Sequence, residues 1–348
     1  MAKLRTAVIG AGKMGRLHSR IYSEMENVEL VAVVDNQIDK ARAIVSEFGG
    51  TAYDDYNAIV DMVDAVTISA PTEHHAIVAE PFLSRGIPVL VEKPLAETLD
   101  QARHMRQLAQ DNNTILQVGY SERFNPVNQA MAKLNFTPRF IEANRISPFT
   151  FRSTDVGVVL DLMIHDIDII LSMAKSKVAD VQAIGVNVLG ENEDIANVRL
   201  TFENGCVANL TASRMAMKTE RKIRVFSESA YLVLDLFKKT GSIVSKTANI
   251  DMLKEIRGHL TADGQLDFTG MDWTKLVQYQ ELDITSKEPL RLEQEAFINA
   301  VSAGSTPEVS AADAVAAMEL AQRITETIKE HRWHNADSSI SSSAWDVD

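Results

Sequence analysis

A lysine that follows an apolar run is the first residue whose position favours chemistry. Lys93 stands in Glu92-Lys93-Pro94, after the run 87–91 that is typical of a buried strand. A partly desolvated lysine loses its proton more easily, so Lys93 is suited to take a proton from a substrate hydroxyl while a hydride leaves the same carbon. For any single lysine, the alternative is a surface side chain whose stem lies along apolar neighbours.

Asp161 and His165 form a second candidate pair. They are four residues apart in the apolar stretch 156–173, which predicts a helix, so we expect them to share a face, with Asp168 nearby. A carboxylate and an imidazole on one face can relay a proton or hold sugar hydroxyls. The alternatives are a buried histidine with internal partners and an acid near a helix N-terminus. Two-residue metal ligation also fits the spacing, but no third ligand is evident, and we predict no metal site.

A glycine motif near the start of the chain predicts a dinucleotide site. Gly10-Ala11-Gly12-Lys13-Met14-Gly15 is a G-x-G-x-x-G that follows the apolar run 6–9 and opens a predicted helix over about 14–25. Gly10 permits the tight turn, Gly12 lets backbone approach a pyrophosphate, and Gly15 lets the helix pack closely on the strand. The helix N-terminus offers unpaired N–H groups to phosphate. A purely structural glycine turn is the alternative.

An acid at the end of the next strand completes the motif. Asp35 follows the apolar run 28–34 and lies 20 positions after Gly15, where a carboxylate can accept hydrogen bonds from a ribose. Its charge repels a 2′-phosphate, and Asn36 and Gln37 supply no arginine to hold one. We therefore expect NAD rather than NADP.

The elements that must position these residues alternate between strands and helices up to about residue 122. This alternation predicts an α/β domain with a doubly wound parallel sheet, the Rossmann arrangement, whose ligands lie outside the carboxyl ends of the strands. The turns at 10–15, 35, 70–72, 92–94 and 119–123 should then share one edge.

The pattern changes after residue 122. Predicted strands at 140–146, 178–189, 195–202, 206–212, 221–227 and 231–236 favour an open, mostly antiparallel sheet, hence a second, α+β domain. Residues 247–288 are expected to hold loops and an edge strand, and helices are predicted over 291–303 and 310–331. We predict an NAD-binding domain over 1–122, a substrate and oligomerisation domain over 123–333 with the helix 310–331 packing back on the first domain, and a frayed tail over 334–348.

Composition narrows the classes of partner. The 348 residues suit two domains, and the formal net charge of −13 argues against nucleic acid or an anionic membrane as a partner. The one cysteine, Cys206, excludes an intrachain disulfide and cysteine-based metal sites. The sequence shows no leader-like or membrane-spanning apolar stretch, so we expect a cytoplasmic protein.

Taken together, the G-x-G-x-x-G, the Glu-Lys-Pro and the D-x-x-x-H resemble the Gfo/Idh/MocA oxidoreductases. The resemblance runs from Thr6 to about Ile328. It implies that Lys93 is the acid/base lysine and that Asp161 and His165 orient the substrate and assist proton transfer. It also implies contacts with the dinucleotide at Gly10, Gly12, Lys13, Met14, Gly15, Asp35, Ala70, Pro71, Thr72, His75, Glu92, Lys93 and Gln117.

The resemblance also suggests a substrate. Many members have glycine where this chain has Met163, and the stretches 119–126 and 161–168 look most like members that oxidise the 3-hydroxyl of UDP-N-acetylglucosamine on the way to a diamino sugar of lipid A. Arginines could then meet a pyrophosphate or a sugar hydroxyl. The residues expected to contact substrate are Tyr120, Arg123, Asn125, Arg152, Asp161 and His165, with Arg145 as a further candidate.

Two other functions stay open at this point. One is the same chemistry on inositol or another free polyol. The other is a non-catalytic regulator that senses NAD or a sugar, although such proteins usually lose the lysine or the histidine that this chain keeps. The resemblance further suggests a homodimer or homotetramer through the open sheet of the second domain.

Overall fold

The strand that leads into the glycine motif lies near the middle of a parallel sheet. The computed structural model describes residues 3–134, 136–150, 156–189, 191–246 and 277–331. Its first sheet has six strands in the order β3-β2-β1-β4-β5-β6, and each neighbouring pair is parallel. The bounds are β1 (Leu4–Ile9), β2 (Val28–Val34), β3 (Thr51–Tyr53), β4 (Ala65–Ile68), β5 (Val89–Glu92) and β6 (Leu116–Gly119). The strand order reverses between β1 and β4, so a crevice forms at their carboxyl ends.

Helices cover both faces of this sheet because its strands are apolar on both sides. Val8 and Leu90 face one layer, where they join a cluster with Tyr22 of the first helix. Ile68 and Val91 face the other layer and belong to the larger cluster that continues into the second half of the chain. The helices are α1 (Lys13–Ser23), α2 (Ile38–Phe48), α3 (His75–Leu83) and α4 (Leu99–Asp111). The predicted doubly wound domain is confirmed.

The second sheet is mostly antiparallel and has eight strands. Their order is β14-β13-β12-β11-β7-β10-β9-β8, and the β7–β10 pair is parallel. The bounds are β7 (Phe140–Ile146), β8 (Val178–Val186), β9 (Ile195–Phe202), β10 (Val207–Ser213), β11 (Glu220–Phe226), β12 (Ala230–Asp235), β13 (Thr240–Lys246) and β14 (Val277–Glu281). This confirms the predicted open sheet and the edge strand within 247–288, although residues 247–276 lie outside the described part.

Four helical segments lie between β6 and β8 in the chain. A 3₁₀ turn, Ser121–Phe124, leads from β6 into α5 (Pro126–Ala132). A π-helical turn, Val159–Met163, continues directly into α6 (Ile164–Ala174). The helix predicted over 156–173 is therefore present, but its first turn is wider than an α-helical one.

The last two helices join the two halves of the molecule. In α7 (Pro289–Ala303), Phe297 is buried in the cluster on the α1 side of the first sheet. In α8 (Ala311–Glu330), Glu319 pairs with Arg103 of α4 at 2.8 Å, and Arg323 donates to the backbone oxygen of Val178 at the start of β8. Ser310 begins α8 with a capping box, since its hydroxyl accepts from the Asp313 N–H and the Asp313 carboxylate accepts from the Ser310 N–H. The predicted tail, 334–348, lies outside the described residues.

The glycine turn is held by two close backbone approaches. Gly10 has φ of +101° and lies against β4, where a Cβ would come within 2.6 Å of the Ala70 backbone nitrogen. At Gly15, a Cβ would come within 1.8 Å of the Gly10 oxygen, whereas a Cβ at Gly12 would meet nothing within 4 Å. Gly10 and Gly15 are therefore required by the fold itself, and Gly12 leaves open space at the mouth of the turn.

No helix among the described residues is both long and apolar enough to cross a bilayer.

Substitutions at Gly12 and Gly15 should show which of these glycines the fold itself requires. We expect Gly15→Ala to lower the free energy of unfolding by about 1–3 kcal/mol or more, since the new methyl group overlaps backbone. Gly12→Ala should change it by only about 0.5 kcal/mol, since the methyl group enters open space. Denaturant unfolding of both variants without added nucleotide measures this. Equal losses at the two positions would contradict the distinction.

Candidate active site

The turn between β1 and α1 has the features that a dinucleotide requires. The Ala11 N–H donates to Asp35 Oδ2 at 2.8 Å and the Gln37 N–H to Oδ1 at 2.9 Å, so Asp35 is fixed at the end of β2 with further lone pairs free to accept. The first N–H groups of α1 have no side-chain cap, and Gly12 leaves the approach to them open. The turn therefore fits a pyrophosphate at the helix N-terminus and a ribose at Asp35.

A cavity of about 440 Å³ lies beside this turn and is lined by both halves of the chain. It brings together Lys93 from the end of β5 and His165 from α6, which are 72 positions apart in sequence. The predicted residues that line it are Met14, Ala70, Pro71, Thr72, His75, Glu92, Lys93, Arg145 and His165. The parallel-sheet edge and the second domain thus meet at one site.

Lys93 is half-buried between charges of both signs. Its Nζ donates to the backbone oxygen of Asp161 at 3.3 Å. Burial lowers the pKa of the Lys93 ammonium, the carboxylates of Asp161 and Glu92 oppose this, and Arg145 adds to the lowering. The net pKa of Lys93 lies below its usual range, so a larger share of the amine is neutral than in an exposed lysine.

Asp161 and His165 line different cavities, and Lys93 lines both of them. Asp161 lines a second cavity, of about 630 Å³, which Lys93 and Thr72 line as well. The expectation that Asp161 and His165 would share one face assumed α-helical spacing. Asp161 instead lies in the π-helical turn Val159–Met163, where backbone hydrogen bonds join residues five apart. Lys93 is the residue that links them.

The imidazole of His165 is neutral. Burial and the nearby charges of Lys93 and Arg145 hold the pKa of His165 well below its usual range. Its ring meets the edge of Tyr120 at a centroid distance of 6.2 Å and an angle of 89°, which fixes the ring orientation. The Nδ1 atom is buried and has no hydrogen-bond partner among the described residues. A neutral imidazole offers one donor and one acceptor, as a group that holds a hydroxyl must.

Two arginines and two acids form a charged wall of the cavity. Arg145 on β7 is buried, donates to both oxygens of Asp166 at 2.8–2.9 Å, and reaches Glu122 at 3.2 Å. Arg221 lies opposite Arg145 on β11 and donates to the same Glu122 oxygen at 2.6 Å. Burial alone would raise the pKa of Glu122, but Arg145 and Arg221 hold it below its usual range. The Arg221 side chain is 42% exposed, against 4% for Arg145.

Sequence reasoning missed Glu122 and Arg221 in this wall. Glu122 follows the end of β6, so the rule that ligands gather at strand ends could have found it. No sequence signal could have found Arg221, because its place depends on the register between β11 and β7.

Four of the predicted residues do not reach the cavity. Arg123 is bound to the buried Asp168 at 2.5 and 2.8 Å. The Asn125 amide caps α5 and donates to the backbone oxygen of Leu236. Gln117 is fully buried and donates to the backbone oxygen of Glu293. Tyr120 is fully buried behind His165.

His75 lines the cavity but binds backbone groups, and two further predicted residues lie elsewhere. Both ring nitrogens of His75 lie 2.9 Å from backbone oxygens, of Ala70 and Pro94, so this ring ties two strand ends together. Lys13 is exposed at the first position of α1. Arg152 lies outside the described residues.

Comparison with known proteins gives a family for both halves. Residues 4–120 match the family model described as the GFO/IDH/MocA oxidoreductase family with an NAD-binding Rossmann fold. Residues 132–233 match the GFO/IDH/MocA C-terminal domain.

Individual relatives cover most of the chain. UDP-N-acetylglucosamine 3-dehydrogenase of Acidithiobacillus ferrooxidans is 33% identical over 304 residues, which is 87% of this chain and 90% of that protein. A solved structure of that enzyme has a TM-score of 0.83 at 30% identity and covers 94% of this chain and 98% of its own. Inositol 2-dehydrogenase of Rhizobium meliloti is 27% identical, over 61% of this chain and 69% of that protein. Levoglucosan dehydrogenase in complex with NADH has the same fold, with a TM-score of 0.79 at 17% identity over 94% of this chain and 97% of its own.

The charge on Asp161 should set the pH at which Lys93 loses its proton. The carboxylate raises the pKa of Lys93, so Asp161→Asn lowers it, and the neutral amine then persists to lower pH. If Lys93 accepts the substrate proton, the acid limb of the pH profile of kcat/KM moves to lower pH. The control is Glu73→Gln, an exposed acid on the same second cavity, which should leave the limb in place. A limb that moves to higher pH in Asp161→Asn would contradict the assignment.

Proposed function

This chain belongs to the Gfo/Idh/MocA family of NAD-binding oxidoreductases, and we propose that it oxidises the 3-hydroxyl of UDP-N-acetylglucosamine, a nucleotide-activated sugar, to a 3-keto group. It is an NAD-dependent dehydrogenase that acts on CH–OH groups. One observation carries the proposal. Lys93, with a lowered pKa, and the neutral His165 line one cavity beside a turn that fits NAD. A regulator without activity would not need this pair.

The residues of the cavity divide the chemistry between them. Lys93 accepts the proton of the hydroxyl, because burial lowers its pKa and so raises the share of neutral amine, while Asp161 and Glu92 stabilise the resulting ammonium. His165 holds the same hydroxyl from the opposite domain, as acceptor or donor at one ring nitrogen. NAD, when bound at the glycine turn, accepts the hydride from the substrate carbon. Asp35 favours NAD over NADP by repelling a 2′-phosphate.

Arg221 supports a substrate with a diphosphate. It is the more exposed of the two guanidinium groups in the cavity wall, and its fork can hold a phosphate in two hydrogen bonds. Arg145 is already bound to Asp166 and Glu122, so it holds Glu122 and Arg221 in place. A free polyol has no charge that would use Arg221. The relative with 33% identity, whose name specifies a UDP-sugar, supports the same substrate class.

The cellular setting follows from the proposed product. A 3-keto sugar nucleotide is a suitable substrate for an aminotransferase. The place of this step in lipid A synthesis and the cytoplasmic location of the protein stay predictions.

We also propose that the outward face of the second sheet is covered by another copy of the chain, since Ile184 and Ile195 on β8 and β9 are exposed there.

Replacement of Lys93 tests the proton acceptor. We expect Lys93→Met to bind NADH almost as well as the parent and to lose roughly 10²–10⁴-fold in kcat, because the pKa of His165 lies well below its usual range and makes this imidazole a weak proton acceptor. Turnover with NAD and UDP-N-acetylglucosamine, followed by absorbance of NADH, measures kcat, and fluorescence titration measures NADH binding. Near-normal turnover in the variant would remove Lys93 from the mechanism.

Replacement of Arg221 tests the substrate class. Arg221→Met should raise the KM for UDP-N-acetylglucosamine about 10–100-fold, the loss expected for a charge-assisted hydrogen bond, and should leave the KM for NAD unchanged. The matched control is Arg139→Met, an exposed arginine paired with Glu228 at the far end of β7. Assays of N-acetylglucosamine and myo-inositol in parallel test the polyol alternative. Oxidation of inositol but not of the UDP-sugar would overturn the proposed substrate.

A further inference from the structure

A buried polar cluster lies directly behind the Glu-Lys-Pro turn. It consists of His18 on α1, Glu92 at the end of β5 and Glu293 on α7, and we call it the rear cluster. His18 Nε2 lies 2.8 Å from Glu92 Oε1. One side-chain atom from each of the three residues lies within 4.8 Å of the others. Neither the sequence motifs nor the proposed reaction uses His18 or Glu293.

Glu293 is the unusual member of the rear cluster. Its exposure is 0%, and neither carboxyl oxygen has a hydrogen-bond partner among the described residues. An ionised carboxylate without partners costs several kcal/mol to bury, so the group must carry a proton or meet a cation. Burial and the neighbouring charge of Glu92 both raise the pKa of Glu293 well above its usual range.

We propose that Glu293 holds a proton in the folded protein and, with His18, keeps the Glu92 carboxylate ionised beside Lys93. The catalytic part of this statement rests on the proposed role of Lys93. Glu293 is then a positioning residue. It acts through Glu92 and does not touch the substrate.

The geometry assigns a donor to each side of Glu92. With its proton on Nε2, His18 donates to Glu92 Oε1, and its bare Nδ1 is then the buried nitrogen that has no partner among the described residues. The O–H of a protonated Glu293 is the second donor, in direct reach after a small side-chain rotation or through one water. Gly119 packs against Glu92, since a Cβ at Gly119 would come within 3.2 Å of Glu92 Oε2.

The charge on Glu92 matters because of what else faces Lys93. Asp161 and Glu92 raise the pKa of the ammonium, Arg145 lowers it, and the facing His165 is neutral. If Glu92 took up a proton, one of the two opposing carboxylates would be lost. Lys93 would then hold the proton of the substrate less strongly.

The stability of the folded protein as a function of pH tests the proton on Glu293 without any assay of activity. A carboxyl whose pKa is raised by folding contributes stability that is present below its unfolded pKa and is lost as the pH rises. The wild type should therefore lose stability relative to Glu293→Gln, and the ratio of their unfolding constants should change about tenfold per pH unit above about pH 5. The matched control is Glu295→Gln, the same change at a partly exposed position of α7 that pairs with Lys287, whose ratio to the wild type should stay nearly level.

Two results of this experiment would overturn the proposal. A level ratio for Glu293→Gln means that Glu293 is ionised in the folded protein. One equivalent of a divalent metal in the purified protein, found by plasma mass spectrometry and lost in Glu293→Gln, means that a cation holds the rear cluster.

The pH profile of activity tests the link to Lys93. Glu293→Leu removes the second donor, so Glu92 takes up a proton more easily and the acid limb of kcat/KM should move to lower pH. Glu293→Gln keeps an N–H donor and should restore the limb to its place. If the Gln variant moves the limb as far as the Leu variant, the charge of Glu293 acts on Lys93 and the proposal fails. If no variant moves the acid limb while the stability ratio changes as expected, the proton on Glu293 stands and the link from Glu293 through Glu92 to Lys93 fails.

Discussion

The partial burial of the Lys93 ammonium is the constraint on which the site depends. A fully solvated lysine would stay charged at neutral pH, and a fully buried one without acids would be neutral and could not hold the proton that it receives. Here burial lowers the pKa while Asp161 and Glu92 oppose the shift, so both protonation states are accessible. Each acid comes from a different part of the fold, so the balance exists only when the two halves are joined.

The last two helices maintain that junction. Helix α7 buries Phe297 against the α1 side of the first sheet. Helix α8 contacts both α4 and β8, the edge strand of the second sheet. A chain cut after the second sheet would leave the first sheet without part of its cover. The second half therefore both supplies residues to the cavity and completes the core of the first half.

The sequence predicts the first half well because each of its signals is local. The glycines, Asp35 and the Glu-Lys-Pro turn lie at strand ends, and one topological rule brings strand ends together. Short elements without strong patterns, β3 and β13, were not predicted. The arginines of the cavity are predicted less well, since the sequence shows that an arginine carries a charge but not which group it pairs with. Arg123 was expected at the substrate and instead holds the buried Asp168, whereas Arg221 was missed and lines the cavity.

The register between β7 and β11 explains why the sequence does not predict the charged wall of the cavity. Arg145 and Arg221 are opposite each other because β7 and β11 pair antiparallel in this register, and a shift of β11 by one residue would turn Arg221 to the other face of the sheet. Glu122, which follows β6 of the first sheet, accepts from both guanidinium groups. Arg145 and Arg221 in turn hold the pKa of Glu122 below its usual range. The wall is thus specified by a pairing between distant strands. Side-chain changes on these two strands would alter the charged wall and leave the glycine turn and Lys93 in place.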